Sequence, residues 1–209
     1  MALSEPTITG SEPVSLGELK AHLRFENTAE DDLIADLGKA ARQYAETVTG
    51  LQLIAATYTW KLDSFGQREG QSWQRWGERF GYGGKEDFLV VPRPPLVSVQ
   101  SITYADSLNA DQTFDASYYA ADTTSRPGRI YLVPYNIWPV TFARANAISI
   151  AFTAGYATAA AVPSSIKTAI KMLASHWFET RRAVSDKPYS TVPMAVESLL
   201  RAESTGQYY

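Results

Sequence analysis

Ser164-Ser165-Ile166-Lys167 sets a serine hydroxyl one helical turn ahead of a lysine amine. That spacing suits a nucleophile activated by a neighbouring base, as in serine acyl-enzymes of the S-x-x-K type. The companion signatures are missing. Ser185-Asp186-Lys187 is not S-D-N, and Lys167-Thr168-Ala169 is not K-T-G and overlaps the first pattern. A capping serine followed by a solvated lysine accounts for the same residues. His22 and His176 have no sequence-local carboxylate partner, so they make neither a metal site nor a triad. Gly81-Tyr82-Gly83-Gly84-Lys85 has the glycines of a phosphate loop, but Arg79 and Glu86 stand where Gly and Ser or Thr are needed. Asp106–Asp115 lacks the central Gly and terminal Glu of a calcium loop. There is no Cys, hence no thiolate nucleophile and no disulfide. The expectation is a chain that is not an enzyme and holds no cofactor or metal.

A different chemistry is carried by Trp73-Gln74-Arg75-Trp76 and Arg79-Phe80. Aromatics interleaved with bases suit a single-strand nucleic-acid platform. However, Glu69, Glu78, Glu86 and Asp87 nearly cancel Arg68, Arg75, Arg79 and Lys85. Docking on a protein neighbour fits that balance better. The whole chain agrees, because a net charge of −3 is not the basic excess of a protein that grips nucleic acid.

The elements that would position these residues read clearly. The longest helix signal in the second half is Val162–Val184, with Ile166, Ala169, Ile170, Leu173, Trp177 and Phe178 on one face. Pro163 suits its first turn, and Ser164 or Ser165 is expected to cap it. The obvious partner for Trp177 and Phe178 is the other strong helix, near the N-terminus. Ser15 with Glu18 forms a capping box for the first helix, and Thr28 is the expected cap of a second, running from about Ala29 to Thr49 and stopped by Gly50. Strands are expected at Thr57–Leu62, Phe88–Val91, Val97–Tyr104, Thr113–Asp115, Tyr118–Ala121, Arg129–Val133 and Ala147–Thr153. Ser125-Arg126-Pro127-Gly128 reads as a turn with positive φ at the glycine. An aromatic loop, Pro134–Val140, separates the last two strands. A short helix follows at about Met194–Ala202.

Helices, strands and helices again, without βαβ alternation, give an α+β fold. It is a helical bundle formed by the N- and C-terminal helices with an inserted antiparallel β lobe. The expected layout is a flexible N-terminal arm over 1–13, a single domain over 14–203, and a C-terminal tail over 204–209. Within the domain, helices occupy about 15–49 and 163–203, and the β lobe about 56–155 with a long insertion at 63–87. No stretch reaches the roughly 18 apolar residues of a membrane span. The N-terminus lacks the basic and apolar regions of a signal peptide, so the expectation is a chain that does not use the general secretory route.

A set of residues in consistent order resembles the head–tail connector (adaptor) proteins of tailed phages. They are Val14-Ser15-Leu16, Leu19-Lys20-Ala21-His22-Leu23-Arg24, Asp31-Asp32-Leu33-Ile34, Ala45-Glu46 and Thr49-Gly50. They continue with Pro92-Arg93-Pro94-Pro95-Leu96, Val99, Ile102-Thr103-Tyr104, Pro127-Gly128-Arg129, Phe152-Thr153-Ala154-Gly155-Tyr156, Val162-Pro163, Ile166-Lys167 and His176-Trp177-Phe178-Glu179. Related adaptors occur in phage-like gene transfer agents. The resemblance covers about 14–200, and Asp63–Asp87 departs from it by its length.

The resemblance implies a non-enzymatic virion component at the head–tail junction, assembled in the bacterial host cytoplasm. It implies a ring homo-oligomer, a dodecamer, below the portal protein. Such a ring extends the DNA channel, lets DNA pass without sequence-specific binding, and docks the stopper or tail completion protein. Leu199, Leu200, Tyr208 and Tyr209 are the expected portal contact. Trp73, Trp76 and Phe80 are the expected contact with a neighbouring copy or the tail. Two other classes stay open: a monomeric or trimeric tail-associated β module that binds glycan or protein, which a glycan array would favour, and a hydrolase using Ser164 and Lys167, which labelling of Ser164 by a serine probe would favour.

Overall fold

The computed structural model describes residues 2–65, 88–180 and 193–204. The fold is α+β, with helices and antiparallel sheets. The chain forms two compact units. One comprises Met1–Thr7 with Thr57–Ala154, the other Ile8–Ala56 with Gly155–Tyr209.

The first unit holds the strands. β1 (Ala2–Leu3), β3 (Ala56–Leu62), β5 (Leu96–Ala105), β6 (Asp111–Phe114) and β9 (Ile148–Ala154) form a sheet in the order β1-β3-β9-β5-β6, and β2 (Thr7–Ile8) also pairs with β3. β4 (Phe88–Val90), β8 (Arg129–Leu132) and β7 (Tyr119–Asp122) form a second, three-stranded sheet in the order β4-β8-β7. The period of two decides which side is buried. Tyr58, Trp60 and Leu62 of β3 face inward, as do Ile148, Ile150 and Phe152 of β9. Tyr58 stacks on Phe152 with centroids 5.5 Å apart. Burying each of these side chains contributes about 1.5–3 kcal/mol.

Two expectations fail in this unit. Residues 1–13 were expected to be an arm, yet Ala2 pairs with Lys61 and Leu3 with Trp60, and Ser4 N–H donates to the Thr59 carbonyl at 2.9 Å. Two-residue strands are too short to leave a periodic signal. Gly128 does not take the positive φ expected of it. Its requirement is space, because a Cβ there would lie 2.5 Å from Leu96 Cβ. The adjoining Arg126–Pro127 peptide is cis.

The second unit holds the helices α1 (Leu16–Leu23), α2 (Asp31–Thr49), α3 (Ser164–Glu179) and α4 (Met194–Glu203). The capping box at α1 is present. Ser15 Oγ accepts from Glu18 N–H at 3.3 Å, and the Glu18 carboxylate accepts from Ser15 N–H at 2.8 Å. The Ser15 N–H and hydroxyl hold the Glu18 carboxyl below its usual range. Gly50 ends α2 in the left-handed conformation at φ 71°.

Thr28 does not cap α2. Asn27 Oδ1 turns the chain by accepting from Ala29 N–H at 3.0 Å, and the helix begins two residues later. Neither Ser164 nor Ser165 caps α3. Pro163 is the flanking residue, and the Ser165 hydroxyl donates instead to Glu203 at 2.7 Å, tying α3 to the end of α4. Residues 181–184 of the expected long helix lie outside the described residues.

The expected partnership of α3 with the strong N-terminal helix, α2, is present, and the connection between α1 and α2 adds to it. Phe25 meets Phe178 edge-on at 5.5 Å, and Tyr44 meets Trp177 edge-on at 6.4 Å. Ile34, Ala41, Ala45, Ile166, Ile170, Leu173, Val196 and Leu200 share one core. A buried polar network runs beside it. Arg42 donates to Glu12 at 3.0 Å and to Glu46 at 2.6 Å. Glu46 also accepts from Leu53 N–H at 2.9 Å and from the Gln52 amide at 3.1 Å. Breaking such a pair by removing one partner costs about 3–5 kcal/mol.

Candidate docking surface

Among the described residues, the candidate reactive side chains lie as follows, and Gly81–Lys85 and Ser185–Lys187 fall outside them. Ser164 is exposed at the start of α3, and Lys167, one turn on, is half-buried. Lys167 and Lys171 lie near Glu18 of α1, where their charge lowers its pKa slightly further. His22 is exposed on α1, and His176 accepts at its carbonyl from the Thr180 hydroxyl at 2.7 Å. Among the described residues no group of His, Asp or Glu is arranged to hold a metal ion.

The surface that stands out lies in the strand unit, on the connection between β8 and β9. Residues Ile130 to Ala143 include no charged side chain. Trp138 anchors this loop. It stacks on Phe65 at 4.6 Å with the rings 9° from parallel, and packs on Phe114 at 5.6 Å. Phe114 in turn touches Tyr104, Tyr118 and Tyr119, so one aromatic cluster carries the loop.

Polar contacts fix both ends. Val133 N–H donates to the Tyr118 carbonyl at 3.0 Å, and the Asn136 amide to the Val133 carbonyl at 3.1 Å. Phe142 N–H donates to the Ala105 carbonyl at 2.9 Å, and Asn146 N–H to Asp63 at 2.7 Å. Arg144 braces the loop against the β5–β6 hairpin through Asn109 at 2.7 Å and Asp111 at 3.0 Å. That hairpin is shaped by Asp106, whose carboxyl is held low chiefly by the Ala110 N–H and the Gln112 amide.

With Trp138 turned inward, its neighbours turn outward. Tyr135 is fully exposed, Ile137 is 82% exposed and Val140 is 81% exposed. Tyr135 sits at φ 71°, a region that bulky L-residues avoid. Beside these side chains lies a groove of about 480 Å³ whose lining includes Phe65, Leu132, Trp138 and Pro139. An uncharged, largely apolar projection of this kind suits a protein contact.

The expected site residues fall elsewhere. Leu200 is 0% exposed in the helical core, so its side chain is not on a surface, and Leu199 is partly buried against the same core. What α4 does expose is Met194, Ala195, Ser198, Arg201 and Ala202. Tyr208 and Tyr209, and likewise Trp73, Trp76 and Phe80, lie outside the described residues. From sequence, Pro134–Val140 is an aromatic connection between strands. The signal it held was the absence of charge across fourteen consecutive positions.

The sequence matches no family model and no curated protein. Solved structures do match. The chain shares its fold with chains from gene transfer agent particles. One comes from the neck of an empty particle computed with C6 symmetry, at TM-score 0.73 and 21% identity, covering 99% of this chain and 97% of that one. One comes from the virion of a native gene transfer agent particle, at TM-score 0.72 and 21% identity, with the same coverage. A third comes from the neck of a native particle computed with C12 symmetry, at TM-score 0.66 and 18% identity, covering 98% and 97%.

Proposed function

We propose that this chain is a structural connector in the neck of a tailed phage or phage-like particle. The observation that carries the reading is the fold shared from end to end with gene transfer agent neck chains, at nearly full coverage of both partners. In the finer form of the proposal, the chain is an adaptor that forms a ring, a dodecamer, below the portal protein. The ring extends the DNA channel and docks the stopper or tail completion protein. The mildly acidic chain suits a conduit, because a channel through which DNA slides should not neutralise its phosphates.

α4 and the tail beyond it are the proposed portal contact. Leu199 and the exposed face of α4 would contribute surface, Leu200 would hold the helix in place from the core, and Tyr208 and Tyr209 would extend the contact. Trp73, Trp76 and Phe80 are the proposed contact with a neighbouring copy or the tail. The test is deletion of the gene in the producing strain, followed by electron microscopy of the particles. DNA-packed or leaking heads with separate, complete tails are the expected result. Normally joined particles would remove the connector reading and turn attention to ligand binding by the exposed aromatics.

A further inference from the structure

We propose that β1 is an exchangeable strand, and that the edge of β3 which it covers also accepts the β1 segment of a second copy of this chain. The proposal goes beyond the connector reading and does not depend on it. Exchange needs an acceptor, a donor that fits it, and a tether that lets the donor go.

The acceptor is β3. In the sheet order β1-β3-β9, the side of β3 away from β9 is taken, among the described residues, by β1 and β2. A sheet edge presents a row of N–H and C=O groups, and these recognise an extended peptide. The donor fits through its sequence as well as its backbone. Ala2 stands opposite Lys61, and Leu3 opposite the buried Trp60. Ser4 serves both main-chain groups of Thr59. Its N–H donates to the Thr59 carbonyl at 2.9 Å, and its hydroxyl accepts from the Thr59 N–H at 2.8 Å. A segment without a hydroxyl there leaves that N–H without its acceptor. This selects the partner. A second copy brings the same Ala-Leu-Ser in the same register, so exchange gives up no bond.

The tether is fixed at its base and interrupted above it. The Thr9 N–H, the Thr9 hydroxyl and the Gly10 N–H all donate to the Ala55 carbonyl, at 2.9, 3.0 and 3.1 Å. A Cβ at Gly10 would lie 2.8 Å from Ile54 Cγ2, so the base packs closely. Glu5 and Pro6 lie between β1 and β2, and Pro6 has no N–H for a ladder. β1 is two residues long, and of residues 2–9 only Leu3 is partly buried by the described residues. Segments with so little apolar burial are the ones that open locally. In a dilute chain the tether keeps β1 at high effective concentration over its own β3. Copies held close together trade β1 segments, because the bonds on offer are the same.

The chain has no Cys, so Ala2→Cys combined with Lys61→Cys places the only thiols at directly opposed, exposed positions. The full-length variant is oxidised when dilute and at about 1 mM, where neighbours rival the tether. The dilute sample should run as a single 23.0 kDa chain, and the concentrated one should give multiples of it. Peptide mapping should join position 2 of one copy to position 61 of another. A peptide of residues 1–8 with Ala2→Cys should couple to the Lys61→Cys chain about five-fold more than the same peptide that also carries Ser4→Ala. Single chains at both concentrations would overturn the exchange, as would multiples joined 2 to 2 or 61 to 61. Equal coupling of the two peptides would overturn the choice of a second copy. No disulfide in any sample would overturn the acceptor edge itself. None of these outcomes bears on the connector reading, which the gene deletion tests separately.

Discussion

At Tyr135 the backbone holds an aromatic residue at φ 71°, which costs about 1–2 kcal/mol relative to a favoured conformation. Asn tolerates that region because its short side chain bonds locally. Tyr135→Asn should therefore raise the melting temperature of the purified chain by about 2–4 °C, measured by scanning calorimetry. A lower melting temperature would show that the ring supports its own loop.

Asp122 supplies a second residue-scale test. Its carboxylate accepts from the Ser125 hydroxyl at 2.6 Å, from Arg129 at 2.7 Å, and from the Thr124 and Ser125 N–H groups. The Ser125 hydroxyl and the Arg129 guanidinium, ahead of the backbone donors, hold its carboxyl well below the usual carboxylate range. The folded pKa lies below the unfolded value, so the stabilisation is present above about pH 4 and drains away as pH falls from there. Asp122→Asn should be less stable at pH 7, and the gap between the two proteins should narrow below about pH 4. Urea titrations across that range would show it, and a constant gap would contradict the assignment.

Among the elements, α4 illustrates what periodicity reveals and what it conceals. The apolar spacing of Val196, Leu199 and Leu200 marked a helix, but not which of the three sits deepest. The core places Val196 and Leu200 inside and leaves Leu199 at its edge. Leu200→Ala should cost about 2–5 kcal/mol, and Leu199→Ala clearly less, as read by denaturant midpoints. Equal losses would contradict the packing. The capping box at Ser15 and the stop at Gly50 were legible because their signals are local. The start of α2 was not, because Asn27 competes with Thr28 for the turn. The role of Gly128 was not, because Leu96, which crowds it, is thirty-two positions away. The outward face of the β8–β9 loop was hidden for the same reason. Its direction is decided by Trp138 finding Phe65 and Phe114, and no window of sequence contains all three.

For the whole molecule, the order of helices, strands and helices was enough to give the α+β class, while the pairing of strands into two sheets was not. The tail can be tested apart from the fold. Ending the chain after Ser204 keeps Glu203, which accepts from Ser165, and should leave the melting temperature unchanged while reducing attachment to portal-bearing heads in a pull-down. Full attachment would remove Tyr208 and Tyr209 from the proposed contact. The chain also passes between its two units three times, after Thr7, Ala56 and Ala154. Val196 and Leu200, which complete the helical core around Ile34 and Ile170, leave the ribosome long after α1 and α2. During synthesis the strand unit can close while α1 and α2 wait with their apolar sides uncovered. A growing polypeptide of this design depends on a chaperone, or on speed, for as long as the segment from 57 to the end of α3 takes to emerge.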